Sequence, residues 1–186
     1  GTWMAQEPGS TPGFLYQQNS MRDAVVAALH FHIFHRYPER VQMANIAQMV
    51  NVLQAMVLTD GPRMLRTPTY WVFEMFKGHQ GGTVLPTTLG DAEAFSASST
   101  QRDGSTLVSV ANHHPTESVK VEIAVSGVPA ARLSGRLLSG ERFNAHNTFD
   151  QPDQVKPGVW MVSHGAGDVV TAELPPASVA TLELAG

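Results

Sequence analysis

Three carboxamides, Asn45, Gln48 and Asn51, punctuate the apolar run Met43-Ala44-Asn45-Ile46-Ala47-Gln48-Met49-Val50-Asn51-Val52-Leu53-Gln54. A carboxamide carries two donors and one acceptor on a single planar group, so each either finds partners inside the protein or faces a polar ligand. A solvated segment would carry charge, and between Glu39-Arg40 and Asp60 there is none. The run reads as interior sequence with polar groups aimed at something.

Other residues of chemical interest offer less. His30, His32 and His35 lie two and three residues apart, which should scatter them around a helix, and no carboxylate completes a ligand set, so no metal is expected there. His113 and His114, placed in a strand, would point to opposite faces. Glu7 sits in loop-like sequence and Glu74 within a helix, so neither is placed like a catalytic pair. Asn144, His146 and Asn147 are expected to satisfy loop backbone. Tyr70, Trp71, Phe73 and Phe76 are expected to be helix packing.

The 186 residues, 42% hydrophobic and 15% charged with a net charge of -4 and no cysteine, fit a soluble object of one or two domains. That mild acidity gives no footprint for nucleic acid and no anchor for an anionic membrane. Without cysteine there are no disulfides, thiolate nucleophiles or zinc-thiolate sites. No apolar run reaches the roughly 20 residues of a membrane helix, and Gly1-Thr2-Trp3-Met4 has no signal-peptide features, which favours a cytoplasmic location. An opening glycine in place of an initiator methionine reads as a piece of something longer.

Residues 1 to 19 are turn-rich, with Glu7-Pro8-Gly9-Ser10-Thr11-Pro12-Gly13 at their centre. Ser20, with Asp23 three positions on, predicts a capped helix that ends near Tyr37, before Pro38. Val41 to Gln48 reads as a strand buried on both faces, of the parallel type. Met49 to Leu58 is compatible with helix or strand. Asp60-Gly61-Pro62 is a turn, and Thr67-Pro68 predicts the N-cap and first residue of a helix that stops at Gly78.

From Thr83 the pattern changes to short alternating runs: 106 to 111, 119 to 125, 132 to 138, 159 to 163, 169 to 174 and 179 to 184. The fold class is therefore α/β plus all-β. Residues 83–186 form an antiparallel β-sandwich or barrel, interrupted by the long insert 141 to 158. A complete (β/α)8 barrel takes about 250 residues, so residues 1–82 could supply only its closing part. Gln48 would then lie at a strand's C-terminal end, where a carboxamide can donate to one sugar hydroxyl and accept from another.

The runs Asn19 to Ala28, Ile33-Phe34-His35-Arg36 and Arg40 to Gln54 closely resemble the C-terminal half of family 51 α-L-arabinofuranosidases. Thr67-Pro68-Thr69-Tyr70, Val72-Phe73-Glu74-Met75 and Asn144-Ala145-His146-Asn147-Thr148-Phe149 with Pro152 and Val155 extend the likeness over essentially the whole chain. The resemblance implies a C-terminal segment of a (β/α)8 barrel (1–82) followed by an antiparallel β-sandwich (83–186). It implies retaining hydrolysis of terminal α-L-arabinofuranosyl groups from arabinan, arabinoxylan and related glycans, with no cofactor. Two carboxyls about 5 Å apart perform such chemistry.

The family's nucleophile is the glutamate of an Asp-Glu-Trp-Gly-x-Trp signature, of which Gly1-Thr2-Trp3 matches only the tail, so the resemblance places both catalytic carboxyls upstream of this chain. It assigns Trp3 and Gln48 as substrate-binding residues. The implied partners are an arabinose-containing oligo- or polysaccharide, the remainder of the barrel and, in the full-length enzyme, further copies in a homo-oligomer. Two other readings stand beside it: a non-catalytic carbohydrate-binding sandwich, which the few aromatics Phe95, Phe143, Phe149 and Trp160 argue against, and an oligomerisation module.

Overall fold

A computed structural model describes residues 17–90, 93–126, 132–165 and 169–185. Two helices, α1 (Met21–His35) and α2 (Pro68–Phe76), flank a hairpin of β1 (Val57–Asp60) and β2 (Arg63–Arg66). Nine strands follow: β3 (Thr83–Leu85), β4 (Phe95–Arg102), β5 (Ser105–Asn112), β6 (Val119–Ala124), β7 (Arg132–Leu138), β8 (Gly158–Val159), β9 (Val162–His164), β10 (Val169–Leu174) and β11 (Ser178–Ala185).

The helices begin where the sequence places them. The Ser20 backbone N–H donates to Asp23 Oδ2 at 2.9 Å, the reach-back arm of a capping box. Two further free N–H groups of the first turn, those of Met21 and Arg22, donate to the carbonyls of Ala145 and Phe143 in the 141–158 insert. Thr67 precedes Pro68 at the start of α2, and the Asn19 side chain accepts from Thr69 N–H at 3.2 Å while donating to its hydroxyl at 2.8 Å.

The strands form two antiparallel sheets, one of six in the order β3-β4-β5-β11-β7-β8 and one of three in the order β6-β10-β9. The expected β-sandwich is present. Along β11, Val179 faces the helices while Ala180, Leu182 and Leu184 face the smaller sheet, so the six-stranded sheet is covered on both sides. One core joins Met21, Val25, Ala28, Val72 and Phe76 to Leu138 and Val179, and the other joins Val108, Val110, Val121, Trp160, Leu174 and Leu182. Fully burying each such side chain contributes roughly 1.5 to 3 kcal/mol. A Cβ at Gly135 would lie 2.5 Å from the Trp160 carbonyl, so only glycine lets that strand pass.

Three readings change. Val41 to Gln48 forms no strand: it is irregular and mostly exposed, because among the described residues no strand lies alongside to take its backbone hydrogen bonds. β4 is a strand that the apolar pattern did not reveal, since Ser96, Ser98, Ser99 and Thr100 replace the usual aliphatics. His113 and His114 lie just beyond the end of β5 rather than within a strand.

Asn112, fully buried at the end of β5, ties the two sheets together. Its Nδ2 donates to the carbonyls of Glu117, Leu174 and Pro175, and its Oδ1 accepts from His114 N–H. Asn112→Ala should lower the unfolding free energy by roughly 2 to 4 kcal/mol, because it strands several buried backbone groups. Urea denaturation with an unchanged m-value checks this, and a loss below about 1 kcal/mol would mean the joint is redundant.

Candidate functional site

The carboxamide run crosses the open side of α1 as an extended, irregular segment. Gln48 and Asn51 adopt left-handed backbone, with φ of 65° and 54°. Such residues outside glycine are uncommon and concentrate where the chain is shaped for a purpose, asparagine being the better tolerated of the two.

The two amides do different work. Asn51 Oδ1 accepts from Thr59 N–H at 2.7 Å and its Nδ2 donates to the Thr59 hydroxyl at 2.9 Å, which anchors β1 close to the hairpin turn. Asn51 is thus one of the carboxamides that finds its partners inside the protein. Gln48 is exposed, and among the described residues its carboxamide makes no hydrogen bond. Asn45 likewise makes none; it lines a groove of about 280 Å³ with Asp23, Phe31, Ile46, Gln54 and Phe73. Trp3 and Glu7 lie outside the described residues.

The hairpin beyond Gln48 is braced by the insert. Buried Asn147 donates to the carbonyls of Arg66 and Val155 at 2.8 Å and accepts from Val155 N–H. The Arg63 guanidinium sits 4.9 Å from the centre of the Phe149 ring and pairs with Asp60 and with Asp150. His146 Nδ1 contacts the Asn144 carbonyl at 2.8 Å, in the loop-satisfying role its sequence suggested. Glu74 forms a two-pronged ion pair with Arg136 of β7 and is committed to holding α2 on the sheet. The same run leaves Met43, Met49 and Val50 exposed, at 76%, 67% and 46%. With Ile33 and Tyr37 of the α1 region they make apolar surface on the helical side of the molecule.

One constellation went unread in the sequence. His30 contacts its own helix backbone, but His32 and His35 share a face of α1, since a spacing of three is nearly one helical turn. They converge with His79, from the 3-10 turn Lys77–His79, on hydroxyls of β4 and β5. His32 lies 2.7 Å from Ser96 Oγ and 3.1 Å from Ser109 Oγ, His35 2.8 Å from Ser98 Oγ, and His79 2.8 Å from Thr100 Oγ1 and 2.9 Å from Ser109 Oγ. The alternation Ser96, Ser98, Thr100 was the available signal: polar groups at period two on a strand need partners if that face is covered.

Burial, reinforced by the neighbouring cations, lowers the pKa of His32 to about 3. Burial and the nearby His35 lower His79 to about 3 as well, and burial lowers His35. Neutral imidazoles against hydroxyls make a structural seam. Among the described residues no group of histidines and carboxylates is disposed to hold a metal.

The model of the α-L-arabinofuranosidase C-terminal domain matches residues 1–178. An intracellular exo-α-L-arabinofuranosidase of Bacteroides ovatus is 39% identical over 196 residues, a match covering 99% of this chain and 38% of that protein. An intracellular exo-α-(1→5)-L-arabinofuranosidase of Streptomyces lividans is 27% identical across 78% of this chain and 24% of that protein. The GH51 arabinofuranosidase of Xanthomonas axonopodis pv. citri superposes with a TM-score of 0.87 at 43% identity, covering 99% of this chain and 39% of that one. An α-L-arabinofuranosidase from Thermotoga maritima shares the fold, with a TM-score of 0.79 at 20% identity over 98% of this chain and 41% of that one. The chain thus spans less than two-fifths of the length of the curated relatives it matches.

The division of labour between the two amides can be measured. Asn51→Ala should cost about 1 to 2 kcal/mol, from the lost hairpin anchor and a left-handed backbone that alanine tolerates poorly. Gln48→Ala should cost less than about 0.5 kcal/mol, since no internal bond is lost. Thermal melts of the two variants decide it, and equal losses would make Gln48 part of the scaffold.

Proposed function

Because this chain belongs to the α-L-arabinofuranosidase C-terminal domain family, we propose that it works as the C-terminal portion of a retaining exo-acting α-L-arabinofuranosidase. The substrate is a terminal α-L-arabinofuranosyl group on an arabinan- or arabinoxylan-type glycan. The single observation that carries this reading is the 39% identity to a named exo-arabinofuranosidase, sustained over 99% of the chain.

On this reading residues 1–82 close a (β/α)8 barrel and 83–186 are the sandwich behind it. The carboxyl pair that protonates the leaving oxygen and attacks the anomeric carbon belongs to the upstream part of the longer polypeptide. Exposed Met43, Met49 and Val50 support the division: they are apolar groups that further barrel elements would cover. Gln48 contributes a hydrogen bond to the sugar, and its carboxamide, unengaged among the described residues and set on left-handed backbone, suits that role. Trp3 contributes an aromatic face to the same subsite. The relatives named intracellular support a cytoplasmic enzyme, and no described helix is long and apolar enough to cross a membrane. Assembly into a homo-oligomer is part of the same proposal.

The carbohydrate-binding alternative requires aromatics displayed along a strand face. Trp160 is buried with its Nε1 donating to the Glu173 carbonyl, Phe143 packs against the helical core, Phe95 packs against the sandwich core, and Phe149 lies beneath Arg63.

Two measurements test the reading. The 186-residue chain by itself should show no turnover of an aryl α-L-arabinofuranoside, and hydrolysis by rigorously purified chain would refute the placement of the carboxyls. In the longer enzyme Gln48→Ala should lower kcat/KM by roughly 1 to 3 kcal/mol, about 5- to 150-fold, with the melting temperature unchanged. An unaltered kcat/KM would remove Gln48 from the sugar site.

A further inference from the structure

The seam between the helices and the six-stranded sheet is held by titratable groups that have no acidic partner among the described residues. His32, His35 and His79 meet Ser96, Ser98, Thr100 and Ser109, and the His35 and His79 ring centres are 4.8 Å apart. Ser109 Oγ is the hub: both His32 and His79 reach it, and Ser98 Oγ lies 3.1 Å away. A hydroxyl has one proton and two lone pairs, so this arrangement suits neutral His32 and His79 rings that each donate through one nitrogen and accept at the other.

The charged groups nearby have the wrong sign. Arg36 follows α1, Lys77 opens the 3-10 turn, and Arg102 at the end of β4 donates to the Gln80 carbonyl. The ion pair that joins these layers, Glu74 with Arg136, runs from α2 to β7 and contacts none of the three rings. Asp23 sits at the opposite end of α1 among Ser20, Gln17 and Arg22. The two cores lie on opposite faces of the six-stranded sheet, so the helical layer and the inner sandwich do not share their apolar contacts.

We propose that the three histidines are an acid-released latch: as pH falls they take up protons and the two-helix layer parts from the sheet while the sandwich core stays closed. Attached, His32 and His79 hold protons only near pH 3; released, they return to the ordinary value of 6.5. Between those limits the released form binds more protons, so attachment is strongest above pH 6.5 and weakens as pH falls, by up to about tenfold per pH unit for each histidine.

Trp71 in α2 and Trp160 in the sandwich core report on the two layers separately. In a Trp3→Phe background, the 186-residue chain carrying either Trp71 or Trp160 alone, with phenylalanine at the other site, is titrated by fluorescence from pH 8 to pH 3. The latch requires Trp71 to change first, with Trp160 following at lower pH. His79→Gln keeps a hydrogen-bonding group but cannot be protonated; it should move the Trp71 midpoint down by at least half a pH unit, while His146→Gln leaves it in place. Coincident Trp71 and Trp160 transitions, or a His79→Gln midpoint equal to the parent's, overturn the proposal. If His79→Gln does not fold, ring-carbon NMR of the parent decides: histidines that protonate near pH 6.5 with Trp71 still native overturn it, and histidines that protonate only as Trp71 changes support it.

Discussion

A sheet covered on both faces must satisfy every polar group it carries, and that requirement shapes the rest of this molecule. β4 and β5 turn Ser96, Ser98, Thr100 and Ser109 toward the helices, all buried. Each buried hydroxyl without a partner would cost roughly 1 to 3 kcal/mol, so the opposing layer must bring hydrogen-bonding groups to fixed positions. His32 and His35 on α1 and His79 after α2 do so, and Phe76 stacks on His32 to keep its ring plane. The orientation of both helices on the sheet follows from that match.

The helix termini impose the same condition at the other end of the seam. The first-turn N–H groups of α1 are satisfied by carbonyls of the 141–158 insert, and the start of α2 is bound by Asn19. The insert is in turn fixed to the β1–β2 hairpin through Asn147. A strand connection, a hairpin and two helix starts therefore form one hydrogen-bonded unit, with Gln48 at its edge.

The exposed carboxamide run is the complement of this well-satisfied unit. Its apolar side chains Met43, Met49 and Val50 are exposed, with nothing among the described residues to cover them. The sandwich has both its layers here and is packed accordingly.

The sequence by itself determined the local grammar. Ser20 with Asp23, Thr67-Pro68, the Gly61 turn and the alternation of Val119, Val121 and Ile123 each specify structure through neighbours within a few residues, and each forms as those neighbours dictate. The distinction between Asn51, bonded to Thr59, and Gln48, which makes no hydrogen bond among the described residues, was half legible, since the residue types were clear but their partners were not. Only the tertiary structure decided the fate of Val41 to Gln48, because an apolar run becomes a strand only when other strands accept its hydrogen bonds. It alone also brought His32, His35 and His79 onto the hydroxyls of β4 and β5, because groups up to 77 residues apart meet through the packing of layers.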